Sequence, residues 1–428
     1  MDSSGHQNST KLRPEIGGSD DPRFSDTSRG TNQAGVRLYN ERLILSLVRK
    51  HVSLAKIDIA RLTGLSPQTT TVIVKRLEAD GLLLRQTPIR GRVGQPAVPF
   101  SLNPDGAFAF GLKIGRKSSD LVLIDFCAQV RMKISRPHAY PSPASVAALV
   151  SEGIAQMSTT LTPAQLERVA GLGIAAPFEL WNWEREVGAP RDVLDQWRHF
   201  DPQTEISKLV SMPVFLCNDA TSACAAEHFF GEGWQFRDFI YVFIGSFIGG
   251  GLVLEGNLFM GRRGNAGAIG SVPMLRVDAA GVRSHQQLIR SASIFILEQR
   301  LLAIGGDPSV LWGQPSDWGD LGVVLDQWIE DVAEDLSQVI LAAHAVIDCE
   351  GAVIDGAMPE AVRQAIVDRT REKIQALDGQ GLFPLLVKAG SIGPDARAIG
   401  GAALPFLANF ARDREVLFRN QVQGDSLC

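Results

Sequence analysis

Residues 66–76 read Ser-Pro-Gln-Thr-Thr-Thr-Val-Ile-Val-Lys-Arg. The hydroxyls of Ser66, Thr69 and Thr71, the amide of Gln68, the methyls of Val72 and the cations Lys75 and Arg76 suit one kind of chemistry together. Amides, hydroxyls and small apolar groups read the edges of base pairs, whereas cations neutralise phosphates and make binding salt-sensitive. A second set, Arg90, Arg92 and Gln95, sits in the Arg-Gly-Arg-Val-Gly-Gln-Pro stretch 90–96, narrow and flexible enough to enter a minor groove. Metal chemistry is not indicated. Cys127, Cys217, Cys224, Cys349 and Cys428 are scattered without CxxC spacing, and His228 and His285 are isolated, so neither structural zinc nor a disulfide framework is expected.

The elements that would position the first set follow from apolar spacing. Thr70, Ile73, Val74 and Leu77 recur at helical intervals behind Ser66, an N-cap, and Pro67, which is favoured in a first turn. Rotation by about 100° per residue then puts Gln68, Thr71, Val72 and Lys75 on the opposite face. Gly81 stops the helix. Two earlier helices are marked by Leu43, Ile44, Leu47 and Val48 and by Ile57 and Ala60, the second ending at Gly64. A short helix, a Gly-containing turn and a helix with one polar, cationic face make a helix-turn-helix. Residues 82–102 read as a hairpin with Arg85, Arg90 and Arg92 at or near its tip, which would be a wing. Charge agrees with this: residues 37–100 hold eleven Lys and Arg against four Asp and Glu, in a chain of net charge -5 whose remainder is therefore strongly acidic. The alternative for this segment is a protein-interaction module with a solvated basic face.

With 428 residues, 45% hydrophobic and 21% charged, 42 Gly and 22 Pro, the composition is that of a globular protein and excludes bulk disorder or collagen-like repetition. No apolar run approaches the roughly 20 residues needed to cross a bilayer. The first residues lack the apolar stretch of a secretory signal, so the cytoplasm is the expected compartment. Residues 1–36, rich in Ser, Gly, Asp and Pro, are expected to be a disordered tail, 37–100 the winged helix, and 101–428 an α/β domain. In that domain the strands GAFAFGLKIG, DLVLID and VRMKIS, a helix over 144–158, the strands VAGLGIAAP and PVFLCN and a helix from Asp219 to about Phe230 come first. A second run of the same kind follows: DFIYVFIGS, GGGLVLEG and SVPMLRV, a helical region over 286–346, the strand GAVIDG, and helices after Pro359. Two versions of one unit imply two lobes, about 101–232 and 233–400, with a cleft between them and a C-terminal helix returning to the first.

Over residues 38 to about 410 the chain resembles the ROK family of bacterial sugar kinases and transcriptional repressors. The resemblance rests on the order and spacing of ERLILSLVRK, IARLTGLSPQTTTVIVKRLEADGLL, GLGIAAP, CNDATSACAAEHFFGEG, IGSFIGGGLVLEGNLFMGRRGNAGAIGS and GAVIDGAM. It implies an α/β fold, an N-terminal winged helix-turn-helix followed by a two-lobed actin-like, RNase H-like domain. Because the winged helix belongs to the repressor branch, it also implies a homodimeric or homotetrameric regulator that binds operator DNA and responds to a sugar or sugar phosphate. The linkage near residues 100–106 would pass lobe closure to the winged helix.

Family kinases carry an acid in the first phosphate turn, where this chain has Lys113 in Lys113-Ile114-Gly115-Arg116-Lys117. Their Gly-Thr-Gly loop is here Gly245-Ser246-Phe247, with a ring where backbone amides approach phosphates. Two altered cradles imply neither kinase activity nor a nucleotide cofactor; Lys113 and Lys117 either attract an anion or stay solvated. Asn218-Asp219 matches the family pair whose Asp is the general base toward a sugar hydroxyl. It implies a vestigial base able to accept hydroxyls, or simply an N-cap. The family Glu and zinc-ligating His correspond to Ala268 and Ser271, and a further acid falls at Ile289, so no metal is expected. Pro177, Asn218, Asp219 and Asn265 remain as candidate ligand contacts, with Phe178, Glu179, Trp181 and Trp183 nearby; the tryptophans either stack on a sugar or pack the lobe. Two alternatives stay open, an ATP-dependent sugar kinase that keeps Asp219 as base and a regulator that answers to a protein partner.

Overall fold

The computed structural model describes residues 33–89, 97–178, 180–182, 190–277, 280–313 and 318–411. The first three helices are α1 (Gln33–His51), α2 (Lys56–Thr63) and α3 (Pro67–Ala79). In α3 the Ser66 side chain accepts the N–H of Thr69 at 3.1 Å, Pro67 fills the first turn, and Thr70, Ile73, Val74 and Leu77 are buried. Burial of the three aliphatic side chains contributes about 1.5–3 kcal/mol each. Gly64, at φ 71°, ends α2 in the left-handed conformation that glycine adopts without steric cost, and its N–H returns to the Ala60 carbonyl.

Three expectations need correcting in this module. The first helix begins at Gln33, ahead of residue 37, and buries Ile44, Leu45 and Val48, while Leu43 and Leu47 line a cavity at the back of α1. Two adjacent apolar stripes run along this helix, and periodicity alone does not choose between them. In α2, Ile59 is buried and Ile57 is 75% exposed, because residues two apart on a helix face opposite ways. The wing forms from β2 (Leu83–Arg85) and β3 (Pro99–Leu102), with β1 (Ser53–Ala55) added on the far side of β3. A bridge between Ile89 and Ala97 carries the hairpin toward its tip. Arg85 is not at that tip: it lies in β2, and its guanidinium pairs with Glu78 of α3 at 3.1 Å. Arg90, Arg92 and Gln95 lie outside the described residues.

The first lobe contains β4 (Phe108–Ile114), β5 (Ser118–Asp125), β6 (Val130–Pro137), α4 (Pro143–Ser158), α5 (Pro163–Leu166), β7 (Val169–Ala176), α6 (Arg191–Gln196), α7 (Pro202–Ser207), β8 (Val214–Asn218) and α8 (Asp219–Phe230). Its sheet has the order β6-β5-β4-β7-β8, antiparallel through the first three strands and parallel from β4 to β8. The second lobe contains β9 (Phe239–Ile244), β10 (Ile248–Leu254), β11 (Asn257–Phe259), β12 (Pro273–Val277), β13 (Arg283–Gln287), α9 (Ile294–Ala303), α10 (Gly322–Ile347), β14 (Gly351–Gly356), α11 (Glu360–Ala376), β15 (Leu386–Ala389) and α12 (Ala396–Phe410). Its sheet order, β11-β10-β9-β14-β15, repeats that of the first, with the same alternation of senses.

The duplication therefore has a third strand other than the one expected. Residues 273–277 pair with β13 in a separate hairpin, and the short β11 takes their place at the sheet edge. Three residues are too few to show an alternating pattern, and the four of β15 escaped for the same reason. Helix α12 returns to the first lobe and packs on β4, β7 and α8. The contact is backbone on backbone: a Cβ on Gly173 would lie 1.8 Å from the Gly401 carbonyl oxygen, and one on Gly400 would lie 1.8 Å from that of Ser222. One apolar core runs from Ile44, Val74 and Phe100 of the winged helix through Val122 and Phe126 to Ala402 and Phe406 of α12.

Candidate nucleic-acid interface and ligand cleft

On α3, Ser66, Gln68, Thr69, Val72, Lys75 and Arg76 are exposed and Thr71 is half-buried, so the face predicted from rotation is the outward one. The Ser66 and Thr69 hydroxyls hold each other at 2.8 Å. The two cations differ. Lys75 forms no ion pair among the described residues, whereas Arg76 lies 3.5 Å from Glu41 and 3.7 Å from Asp80. An exposed ammonium without a carboxylate nearby can exchange its counterion for a phosphate; a guanidinium between two carboxylates must first give them up.

Between the lobes lies a cleft of about 590 Å³. Pro177 after β7, Asn218 and Asp219 at the β8–α8 junction, and Asn265 in the β11–β12 connection all line it, as do Ala268, Ser271 and Ile289. Asn218, not Asp219, caps α8: its Oδ1 accepts the N–H groups of Ala220 at 3.1 Å and Thr221 at 3.2 Å. Asp219 is the first helical residue, and its Oδ2 accepts Arg397 Nη1 at 3.1 Å. Arg397 was missed by sequence reasoning, because its partner lies 178 residues away. The one available signal was its being the only charged residue in the apolar helix α12. It is 9% exposed, its Nε has no hydrogen-bond partner, and its guanidinium carbon stands 5.0 Å from the Phe243 ring centroid. A buried donor left unsatisfied beside a cleft suits a ligand acceptor. Arg116 and Arg263 also line the cleft, where Asp219 is the only carboxylate among the described residues.

The two phosphate-turn regions are occupied by the protein's own bonds. Lys113 neither attracts an external anion nor stays solvated. It is buried, its ammonium bonds Asp120 and, at 3.0 Å, Ser118, and burial lowers its pKa from the ordinary lysine value. Arg116 and Lys117 converge on Glu298 of α9 at 2.7 and 3.0 Å, tying the β4–β5 turn to the second lobe. Phe247 lines the cleft, with its ring centroid 5.8 Å from that of Phe295. In the same loop Ile248 N–H donates to Ser293 Oγ at 3.0 Å, and the Gly245 and Ser246 carbonyls accept the N–H groups of Ile294 and Phe295. Phe178 lines the cleft, Trp181 packs against the first-lobe core, and Glu179 and Trp183 lie outside the described residues. His228 bonds the Gly256 carbonyl at 3.2 Å and His285 is exposed on β13. Among the described residues no group of three or more His, Cys, Asp or Glu could hold a metal ion, and no helix is long and apolar enough to cross a membrane.

The helix-turn-helix and its wing share one core with a cleft-bearing domain of two duplicated lobes. Residues 109–285 match the ROK family, and residues 37–83 match a winged helix-turn-helix DNA-binding domain. The chain thus carries a segment that matches the ROK family, behind an N-terminal segment that matches a winged helix-turn-helix. It is 23% identical over 239 residues to the xylose repressor of Bacillus subtilis (strain 168), covering 56% of this chain and 61% of that protein. It is also 23% identical over 251 residues to the DNA-binding transcriptional dual regulator NagC of Escherichia coli (strain K12), covering 58% and 60%. The chain thus spans about three-fifths of the length of these two relatives. The crystal structure of a ROK family transcriptional regulator, a homologue of the E. coli Mlc protein, shares the fold with a TM-score of 0.61 at 21% identity, over 90% of this chain and 98% of that one.

Proposed function

We propose that the protein is a cytoplasmic transcriptional regulator that represses genes of carbohydrate uptake or catabolism. In this reading it binds a two-fold operator as a homo-oligomer and is released or retained by a small ligand in the interlobe cleft. The observation that carries the proposal is the outward face of α3, where Gln68, Thr69, Val72 and the uncompensated Lys75 stand exposed on a helix fixed by its N-cap. Side chains near the helix start meet base edges, Lys75 and the wing arginines meet phosphates, and paired recognition helices demand half-sites about one helical turn or its multiples apart. Pro177, Asn218, Asp219 and Asn265 would contact the ligand, a sugar or a sugar phosphate. Arg263 and the unpartnered Nε of Arg397 favour the phosphorylated form, since guanidinium groups donate charge-assisted hydrogen bonds to phosphate. A ligand shifts the regulator only by its differential affinity for the two lobe arrangements.

Kinase activity is disfavoured by the loop bonds of Gly245 to Ile248, by Phe247, and by the engagement of the Asp219 carboxylate with Arg397. Retention of genomic fragments by purified protein at low salt, followed by genome-wide mapping of bound DNA, tests the proposal. The expected result is a small set of sites beside sugar transport or catabolic genes, and failure to retain any fragment would sink it. ATP consumption on a panel of sugars that disappears in Asp219→Asn would instead establish the enzyme.

A further inference from the structure

We infer that α8 and α12 form one rigid coupling unit between the cleft and the DNA-binding module, with the Asp219–Arg397 ion pair at one end and a clamp made by Arg42 and Arg49 of α1 at the other. The inference rests on the reading that the cleft takes the effector and the winged helix takes DNA.

Both helices begin at the cleft. Asp219 is the first residue of α8, Arg397 is the second of α12, and the two are bonded at 3.1 Å. Both also end against α1. At the end of α8 the Arg49 guanidinium carbon stands 3.7 Å from the Phe229 ring centroid and 5.6 Å from that of Phe230, with Phe126 on a further side at 5.0 Å. Its three nitrogens are buried without a hydrogen-bond partner among the described residues, and the ring faces hold it. At the end of α12, Arg42 donates to the Ala408 carbonyl at 2.9 Å and to the Ala411 carbonyl at 3.3 Å. Those late carbonyls lack intrahelical partners, and a cation there also meets the negative end of the helix dipole.

Between their ends the two helices have no slack. Gly400 lies so close to the Ser222 carbonyl that a methyl group would not fit, and Phe230 meets Phe406 edge-on at 6.4 Å. Packed backbones of this kind transmit a displacement instead of absorbing it. At 1.5 Å per residue, α8 spans about 18 Å from the cleft to α1. An effector that takes Arg397 from Asp219 frees the start of α12 relative to α8, and the far ends re-seat under α1, which shares its core with α3. Coupling of this kind is reciprocal, so a change at α1 alters the cleft pair to the same extent.

The test uses the full-length protein and no effector. Hydrogen exchange of residues 33–51, and affinity for a DNA fragment retained at low salt, are measured for the parent, Asp219→Asn, Arg42→Ala and the double variant. Expected is a several-fold rise in exchange of residues 33–51 in Asp219→Asn, with α10 and α11 unmoved. In the Arg42→Ala background that rise should be much smaller, the non-additivity that marks physical coupling. Arg49→Ala supplies the α1-end variant if Arg42→Ala does not fold. Unchanged exchange over 33–51 in Asp219→Asn, or effects that simply multiply, overturns the inference. Loss of DNA retention by the parent with the exchange coupling intact overturns the function and leaves the coupling standing.

Discussion

Lys75→Ala and Arg76→Ala, two adjacent cation removals on the same helix, should behave differently on DNA. Each phosphate neutralised by a protein cation contributes about -0.9 to the slope of log K against log salt. Over a fourfold rise in salt, from about 50 to about 200 mM, one contact is therefore worth about 3.5-fold in affinity, and two symmetric contacts in a dimer about 12-fold. Lys75 has no ion pair to break before it engages a phosphate, so Lys75→Ala should flatten the slope by about 1.8 for a dimer. Arg76 is already held by Glu41 at 3.5 Å and Asp80 at 3.7 Å, and moving it to a phosphate uncovers those carboxylates beside the DNA. Its removal should flatten the slope by less than half as much. Fluorescence anisotropy of a retained fragment at five salt concentrations measures both slopes. A Lys75→Ala slope equal to the parent's, or an Arg76→Ala change as large as that of Lys75→Ala, would refute the reasoning.

Three further outcomes follow from packing. Gly173→Ala drives a Cβ to 1.8 Å from the Gly401 carbonyl oxygen, and since neither backbone can yield it should cost about 3 kcal/mol or more, read as a lowered Tm and a loosened α12. Lys113→Met strands the buried Asp120 carboxylate and should destabilise by about 3–5 kcal/mol, whereas Lys113→Met with Asp120→Leu should recover most of that loss in urea unfolding. Burial lowers the Arg49 pKa from the ordinary arginine value to about 9, which corresponds to a charging cost of about 5 kcal/mol. Arg49→Met keeps contact with the three rings without that cost and should raise the Tm. In the parent, the unfolded chain binds the extra proton from about pH 9 up to the ordinary arginine pKa, so this residue's contribution to stability rises with pH across that window and is flat below it; a Tm gain for Arg49→Met as large at pH 11 as at pH 7 would contradict the assignment.

Helix α3 and its outward face were legible because everything that defines them is local. Ser66 and Pro67 start it, apolar residues three and four apart choose its buried face, and the outward residues follow by rotation. The cleft positions Pro177, Asn218, Asp219 and Asn265 were legible through motif order, since each lies at a strand end or in a loop. Less was legible where the local pattern is ambiguous. Two apolar stripes compete in α1, Ile57 and Ile59 offer opposite faces of α2, and β11 and β15 are too short to show alternation.

The charges divide along the same line. By itself the sequence determined that a basic module with an Arg- and Lys-bearing helix precedes an acidic body of two related lobes, because composition and short-range periodicity carry that information. Only the tertiary structure decided which cations remain available. Lys75 has no ion-pair partner among the described residues, while Lys113 is spent on Asp120, Arg116 and Lys117 on Glu298, and Arg397 on Asp219. Those last pairings span up to 182 residues. Ion pairing depends on a few ångströms of separation in space and on burial, neither of which is encoded in the spacing of residues along the chain.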